Sequence, residues 1–443
     1  MKSDTIVAIS TPRGVGGIAV ARLSGPDALT IAEKHLSSLS TYQPINLSTL
    51  SPRRATYCHF DELDDVVAVY FPKGYTGEPT VEISCHGSLY VQQALLQALV
   101  DSGARLAEPG EFTQRAFLNG RLDLSQAEAV ADLIDSVTPA QHRLAVSQLR
   151  GGYAQKLKAL RQQLLDLTSL LELELDFSQE DVEFADRGRL QSLLQELQEE
   201  TLRLIASFRL GNALKRGVPV AIVGKPNAGK SSLLNALLGD DRAIVSDIPG
   251  TTRDTIEETL TLDGITFRFI DTAGLRHSDD RVETLGVERS KKAVEQADIV
   301  LYLRDATKPG EEPDLDLSDK TVIEVYTKAD LLADSSRVGG LCISSKTGLG
   351  LDTLRKEILS RFHAQMGNTG QEDILLSNAR HYEALKHVRQ ALDAVSQGLA
   401  DGIPADLVAV DLRDALYHLG TITGEVTSDE LLGNIFGRFC IGK

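Results

Sequence analysis

The sequence contains no long uninterrupted apolar run. Its opening stretch, MKSDTIVAIS, lacks the extended apolar segment of a secretory signal. No later stretch approaches the roughly 20 consecutive apolar residues that a membrane span requires. We therefore expect a cytoplasmic protein that does not bind a membrane.

Cysteine is scarce and widely spaced. The four cysteines are Cys58, Cys85, Cys342 and Cys440, and no two of them form a CxxC pair. Zinc sites and disulfide frameworks need closely spaced or paired thiols, so this spacing suggests neither. We expect the thiols to be reduced.

Positive charge is also in short supply. The sequence has 46 Lys and Arg against 63 Asp and Glu, which gives a formal net charge of -17 at pH 7. Because a broad RNA-binding surface needs clustered cations, any RNA contact must be local or shared with a partner. Residues 170–186, LLELELDFSQEDVEFAD, hold much of the acidity, and we interpret them as the solvated face of a helical region.

The apolar pattern divides the 443 residues into four regions. Strand-like runs mixed with helical stretches in residues 1–118 predict an α+β domain. Helical spacing in residues 119–212 predicts the first part of a helical bundle, and residues 371–443 supply its second part. Strands alternate with helices in residues 213–370, which predicts a parallel α/β sheet inserted into the bundle. The predicted fold class is multidomain α/β.

The inserted region carries the strongest chemical motif. Residues 224–231, GKPNAGKS, match G-x-x-x-x-G-K-[ST] between an apolar strand and a helix. In such a loop the backbone amides cradle phosphate oxygens, Lys230 adds a positive charge, and the Ser231 hydroxyl ligates magnesium.

Four further motifs follow in the order expected of a GTPase. GTTRD supplies a hydroxyl for magnesium, and DTAG follows a hairpin whose two-residue turn is Asp263 and Gly264. Asp271 then serves the outer shell of the metal and the Gly274 amide serves the γ-phosphate. In TKAD the Asp330 carboxylate can accept two guanine hydrogens, and the amides of SSK can meet the guanine oxygen. The predicted GTP-binding residues are Asn227, Ala228, Gly229, Lys230, Ser231, Ser232, Ser246, Asp247, Ile248, Pro249, Gly250, Thr251, Thr252, Asp271, Thr272, Ala273, Gly274, Thr327, Lys328, Ala329, Asp330, Ser344, Ser345 and Lys346.

The group that positions the attacking water is not evident from these motifs. Ras-like proteins place a glutamine after the DTAG glycine, but Leu275 stands there. Asn227 offers a carbonyl oxygen suited to a monovalent cation, or it only caps the helix. Glu283 could position water, or it is only a solvated charge. Both alternatives stay open at this point.

Three stretches outside the G motifs carry a family resemblance. They are TIVAISTPRGVGGIAVARLSG, PGEFTQRAFLNGRLDLSQAEAV and the final FCIGK. With the five G motifs, they make the chain resemble the MnmE (TrmE) family of tRNA-modification GTPases. The resemblance implies an α+β folate-binding and dimerisation domain, a helical-bundle domain and an inserted Ras-like P-loop GTPase domain.

The resemblance also implies a reaction and partners. A homodimer would form a heterotetramer with the flavoprotein MnmG (GidA) and act on tRNA. Carbon 5 of the wobble uridine would gain an aminomethyl or carboxymethylaminomethyl group. The reaction would use GTP, magnesium, potassium, a tetrahydrofolate one-carbon unit and the FAD of the partner.

Single residues receive roles by the same resemblance. The implied potassium ligands are Asn227, Ser246, Ile248 and Thr251. The implied magnesium ligands are Ser231 and Thr252, while Glu283 positions the hydrolytic water. A fixed potassium ion would stand in for an arginine finger.

The implied folate-binding residues are Arg22, Glu82, Arg121 and Lys443. Cations suit the glutamate tail of a folate, and a carboxylate suits the donors of its pterin ring. Lys443 would set the Cys440 thiol near the one-carbon donor, which makes Cys440 a candidate catalytic residue. A purely structural role, in which Phe439 and Ile441 pack the end of the bundle, is compatible with this one.

Three positions depart from the pattern of the family. Thr327 replaces the Asn of the NKxD motif and leaves base specificity mainly to Asp330. Lys225 stands where Arg is frequent, and Arg121 stands where Lys is frequent.

Two other classes of function remain as alternatives. One is a GTPase that assists ribosome assembly, disfavoured by the acidity and by FCIGK, and the other is a folate-binding module that senses nucleotide without chemistry.

Overall fold

The structure is a computed structural model and describes residues 4–47, 51–177, 187–239, 258–270, 283–308, 317, 320–332, 340–366, 375–437 and 439–442. The chain forms two compact units. One consists of Met1–Asp135, Val146–Leu193 and Ala391–Lys443, and the other of Ser136–Ala145 and Leu194–Gln390. Within the described ranges, no helix is both long and apolar enough to cross a membrane.

A seven-stranded sheet organises the described N-terminal residues. Its strands are β1 (Ile6–Ile9), β2 (Ile18–Ser24), β3 (Leu36–Ser37), β4 (Ala55–Phe60), β5 (Asp64–Phe71), β6 (Thr80–His86) and β7 (Arg105–Leu106). The order is β3-β4-β5-β6-β2-β1-β7, and neighbours are antiparallel except for β1 and β7. Three helices accompany the sheet: α1 (Ala28–Glu33), α2 (Leu89–Asp101) and α3 (Glu111–Leu118). The α+β prediction for this region is confirmed.

The two faces of this sheet bury different partners. Alternate residues of β2, namely Ala19, Ala21 and Leu23, are buried in a cluster with residues of α1 and α2. Since side chains alternate along a strand, Arg22 points to the opposite face. Phe112 of α3 packs on that second face with residues of β1. The second face is therefore where a polar site can form.

Four helices follow the first sheet in the chain. They are α4 (Leu124–Asp135), α5 (Pro139–Leu149), α6 (Gly152–Phe177) and α7 (Arg187–Arg216). Of the acidic segment 170–186, residues 178–186 lie outside the described part of the chain, so the solvated-face interpretation stays a prediction.

A six-stranded sheet forms the core of the second unit. Its strands are β8 (Val218–Gly224), β9 (Glu258–Leu262), β10 (Ile265–Phe269), β11 (Ile299–Asp305), β12 (Thr321–Thr327) and β13 (Leu341–Cys342). The order is β13-β12-β11-β8-β10-β9, and neighbours are parallel except for the β9–β10 hairpin. The helices α8 (Lys230–Leu238), α9 (Glu283–Gln296) and α10 (Leu351–Met366) belong to this sheet. Asp263 and Gly264 form the predicted hairpin turn with φ values of 47° and 81°, as a turn of this kind requires.

Three helices close the described chain: α11 (Ala379–Ala400), α12 (Ala405–Thr423) and α13 (Asp429–Phe436). In the first unit α12 packs along α6, and Arg161 forms an ion pair with Glu425. A hydrophobic cluster also joins α4 to α13. Helices that precede the second sheet in the chain therefore pack against helices that follow it, which confirms that the α/β region is inserted into a helical domain.

Candidate functional site

The phosphate loop lies between β8 and α8. Strand β8 lies between two other strands of the sheet, and the chain turns at its carboxyl end into the helix that begins at Lys230. Gly229 has a φ of 89°, a conformation that L side chains rarely adopt. The turn leaves the first amides of α8 at the positive end of a helix, where they can bind an anion. The local geometry fits the phosphates of a nucleotide.

The Lys230 side chain folds back over this loop. Its Nζ donates to the carbonyl oxygens of Gly224, at 2.7 Å, and of Lys225, at 3.0 Å. Burial lowers the pKa of Lys230 below its ordinary value. An incoming phosphate favours the charged form of the amine, so nucleotide binding and protonation of Lys230 support each other.

Asn227 does not cap helix α8. The N-cap residue is Gly229, and no side chain makes a capping hydrogen bond there. Asn227 is exposed with a φ of 64°, and its side chain has no hydrogen-bond partner within the described ranges. The capping interpretation is therefore wrong, because the helix begins three residues later.

The TKAD and SSK loops, which are predicted to recognise guanine, adjoin the phosphate loop. The Thr327 hydroxyl donates to the Ala228 carbonyl oxygen at 2.8 Å and lies 3.2 Å from the Arg304 carbonyl oxygen. Thr327 is only 2% exposed, so its hydroxyl ties β12 to the loop rather than facing solvent. The Ala329 amide donates to the Ile343 carbonyl oxygen at 3.0 Å, just before SSK. The structure thus brings together three of the five predicted motifs.

Lys328 forms an ion pair with Asp305. Its Nζ donates to Asp305 Oδ2 at 2.6 Å. Burial raises the pKa of the Asp305 carboxyl, but hydrogen bonds from Lys328 and Thr307 outweigh that effect and bring the pKa to about 2. Asp305 is therefore ionised at neutral pH and fixes Lys328, whereas Asp330 is exposed.

The remaining predicted nucleotide and metal residues lie outside the described part of the chain. They are Ser246, Asp247, Ile248, Pro249, Gly250, Thr251, Thr252, Asp271, Thr272, Ala273 and Gly274. Glu283 begins α9, but its side chain is not among those described. In the described ranges, no group of three or more His, Cys, Asp and Glu side chains is arranged to hold a metal ion.

A second group of predicted residues meets on the seven-stranded sheet. Arg22 Nε donates to Glu82 Oε1 at 2.9 Å across the β2–β6 pair. The Arg22 guanidinium carbon lies 5.3 Å from the centroid of the Tyr75 ring and 5.7 Å from that of Phe112. These distances allow cation–π attraction with both rings. Sequence reasoning missed Tyr75 and Phe112, because they belong to no motif and lie on different elements.

Arg121 packs against the loop that carries Tyr75. A Cβ placed on Gly77 would lie 3.1 Å from Arg121 Cγ. Asn119, two residues earlier, donates from Nδ2 to the Thr76 carbonyl oxygen at 2.8 Å. Arg22, which is paired with Glu82, and Arg121 thus adjoin one loop of the first unit. Lys443 lies outside the described residues.

The FCIGK segment lies against α13 and the end of β1. Phe439 is 9% exposed and packs on Phe436 of α13, with ring centroids 5.5 Å apart. The Ser10 hydroxyl, just after β1, donates to the Gly442 carbonyl oxygen at 3.2 Å. Cys440 is exposed. Ile441 is 45% exposed, so the expectation that it packs is wrong, because the anchor on this side is the backbone of Gly442.

Fold and site together define a P-loop GTPase whose nucleotide-binding sheet is inserted into a helical domain that follows an α+β domain. Sequence comparison then identifies the family. The MnmE helical domain matches residues 124–440, and the GTP-binding protein TrmE N-terminus matches residues 5–121. The tRNA modification GTPase MnmE of Porphyromonas gingivalis is 48% identical over 99% of this chain and 98% of its own length. That of Parabacteroides distasonis is also 48% identical, over 99% of this chain and 100% of its own length. This chain belongs to the MnmE family of tRNA modification GTPases.

Membership of the family settles the coarse function. The protein is a GTP hydrolase, as the motifs predicted, and acts in tRNA modification, as the family resemblance implied. The ribosome-assembly alternative is set aside. Among solved structures, the G domain of the T. maritima FeoB iron transporter is 24% identical and covers 33% of this chain and 99% of its own. Its TM-score of 0.24 carries no structural conclusion.

Proposed function

We propose that this protein is a potassium-stimulated GTPase that works with the flavoprotein MnmG (GidA) on the wobble uridine of certain tRNAs. Together they would convert carbon 5 of that uridine to its aminomethyl or carboxymethylaminomethyl form. One observation carries the proposal: the Ser10 hydroxyl holds Gly442 of FCIGK at the end of β1, and Ala8 of β1 pairs with Arg22. A thiol and a candidate folate-binding arginine therefore share one small part of the first unit.

GTP hydrolysis belongs to the second unit. The amides of residues 228–232 and the Lys230 ammonium bind the phosphates, and Asp330 recognises guanine. Ser231 and Thr252 hold magnesium, which neutralises charge on the phosphates. The Thr327 hydroxyl supports this arrangement by fixing the loop at Ala228.

Potassium is the proposed substitute for the missing glutamine and for an arginine finger. Carbonyl oxygens suit a monovalent cation, and the proposed set is Asn227, Ser246, Ile248 and Thr251. Asn227 is exposed, and among the described residues no hydrogen bond holds its side chain, which supports this role. A cation held there stabilises charge that develops between the phosphates, while Glu283 orients the attacking water.

The one-carbon chemistry belongs to the first unit. Arg22, Glu82, Arg121 and Lys443 are the proposed contacts of a tetrahydrofolate derivative, which supplies the one-carbon unit. The Arg22–Glu82 pair offers donors and an acceptor side by side, and the rings of Tyr75 and Phe112 give it an apolar wall. Cys440 is the proposed catalytic thiol.

Partners complete the proposal. Exposed apolar side chains gather where the loop before β2 meets the start of α2, at Val15 (81% exposed), Ile18 (69%), Leu89 (51%) and Tyr90 (73%). The Gly16 amide donates to the Gly87 carbonyl oxygen at 3.1 Å, which joins these two segments. Large exposed apolar side chains on neighbouring segments favour an interface, which supports a homodimer. The two protomers join MnmG and its FAD in a heterotetramer, and the acidity of this chain favours sharing tRNA with that partner in the cytoplasm.

Mass spectrometry of tRNA nucleosides tests the proposal. Cells that lack the chain are expected to lose the aminomethyl and carboxymethylaminomethyl forms of the wobble uridine and to regain them when the chain is restored. Purified protein with MnmG is expected to change the mass of tRNA only when both GTP and a reduced folate are supplied. An unchanged nucleoside profile in the deletion strain would exclude the proposed reaction.

A further inference from the structure

The exposed Cys440 lies between two anchored neighbours. On one side Phe439 is buried against Phe436 in the cluster that joins α4 and α13. On the other side Gly442 accepts the hydroxyl hydrogen of Ser10 at 3.2 Å. The Gly110 amide also lies 3.5 Å from the Cys440 carbonyl oxygen. The backbone is thus held on both sides of a thiol that stays accessible to a large substrate.

Position 442 accepts only glycine in this arrangement. Its φ of 98° is one that L side chains rarely adopt, and a Cβ there would overlap the Ile9 carbonyl oxygen. That oxygen cannot move aside at low cost, because Ile9 is paired with Ala21 of β2 and Ser10 donates its amide to Val20 at 2.7 Å. A side chain at position 442 would therefore lift the segment from the sheet.

We propose that Ser10 and Gly442 are positioning residues, which dock the FCIGK segment on the end of β1 and hold the Cys440 thiol in place for uridine modification. The inference rests on the proposed function, since it assumes that Cys440 takes part in that reaction. Small misplacements of a reacting group can cost large factors in rate. The proposed role of Ser10 and Gly442 is to act through Cys440 and not to contact the substrate themselves.

Electron paramagnetic resonance of a nitroxide on Cys440 tests the docking directly. Cys58 and Cys85 are buried and Cys342 is half-buried, so a Cys342→Ser background restricts the label to Cys440. Gly442→Ala is expected to change a restricted spectrum into a mobile one. The matched control is Gly103→Ala, because Gly103 has a φ of 115° but no atom near its Cβ position. Gly103→Ala introduces a comparable backbone strain and is expected to keep the restricted spectrum.

The unlabelled variants test the positioning role with MnmG, GTP, folate and tRNA. Gly442→Ala is expected to lower kcat for modification about tenfold with KM for tRNA unchanged. Ser10→Ala is expected to lower kcat about threefold, whereas Ser10→Thr, which keeps the hydroxyl, is expected to keep the kcat of the unsubstituted protein. If Gly442→Ala melts at the same temperature as Gly103→Ala, its lower kcat results from displacement of the segment and not from unfolding of the protein.

Each contrary outcome overturns a different statement. A restricted spectrum in Gly442→Ala overturns the docking and leaves the proposed function standing. A mobile spectrum with full modification overturns the positioning role. Normal modification by Cys440→Ser overturns the role of the thiol, and with it this inference, even where the spectra still report docking.

Discussion

The six-stranded and the seven-stranded sheets build their candidate sites from different materials. In the six-stranded sheet, loops at the carboxyl ends of parallel strands supply backbone amides, and the Thr327 hydroxyl joins two of these loops. In the seven-stranded sheet, side chains from one face supply the site, with Arg22 and Glu82 on paired strands. Tyr75 and Phe112 come from a loop and a helix next to that face.

The difference has consequences for substitution. A site formed by backbone amides depends on the few residues that set the conformation of the loop, so one substitution there can abolish ligand binding. In a site formed by several side chains, each side chain contributes part of the binding energy, so one substitution only weakens ligand binding. Substitutions in the two units should therefore differ in size and in the activity that they affect.

The largest expected effect on binding is that of Lys230→Ala. The loss of a charged donor from the phosphate loop should weaken GTP binding about 100-fold, because hydrogen bonds to charged groups are among the strongest. Isothermal titration calorimetry with GTP measures it. The control is the neighbouring exposed Lys225→Ala, which should bind GTP nearly as well as the unsubstituted protein. Equal affinity in both variants would contradict the assigned role of Lys230.

Potassium should raise the rate of GTP hydrolysis at least about tenfold over sodium, since a cation fixed between the phosphates stabilises developing charge. Phosphate release in matched potassium and sodium buffers measures this effect. Asn227→Ala should remove the difference between the two cations. Equal rates in the two buffers for the unsubstituted protein would refute potassium stimulation.

Thr327→Val tests whether the buried hydroxyl stabilises the phosphate loop. Loss of one hydrogen bond with similar volume should weaken both GTP and GDP binding about fivefold. Thr327→Ser keeps the hydroxyl and should stay close to the unsubstituted protein. Fluorescent-nucleotide titration compares the three proteins. If Thr327→Val binds both nucleotides as tightly as the unsubstituted protein, the hydroxyl does not support the loop.

Tyr75→Leu should have the smallest effect, and this effect concerns folate binding by the first unit. Loss of one ring beside Arg22 is expected to weaken binding of a reduced folate about threefold, the scale of a cation–π contact. GTP affinity should not change. Tyr75→Phe keeps the ring and should bind folate normally, with calorimetry as the measurement. Equal losses in Phe and Leu would show that the hydroxyl, not the ring, matters.

The same contrast explains what could be predicted from the sequence. The phosphate loop and the hairpin turn at Asp263 and Gly264 are local, so their residue types reveal their conformation. The helix-cap alternative for Asn227 failed because the sequence did not show where α8 begins. Phe112 could not be predicted as a neighbour of Arg22, since nothing local links residues so far apart in the chain.

We propose that GTP hydrolysis and uridine modification reside in separate units of one enzyme. The most direct measurement follows both activities in one reconstituted reaction of Cys440→Ser with MnmG, tRNA, GTP and a reduced folate. We expect GTP to be hydrolysed at the rate of the unsubstituted protein while the mass of tRNA stays unchanged. Normal folate-dependent modification of the tRNA by Cys440→Ser would contradict it.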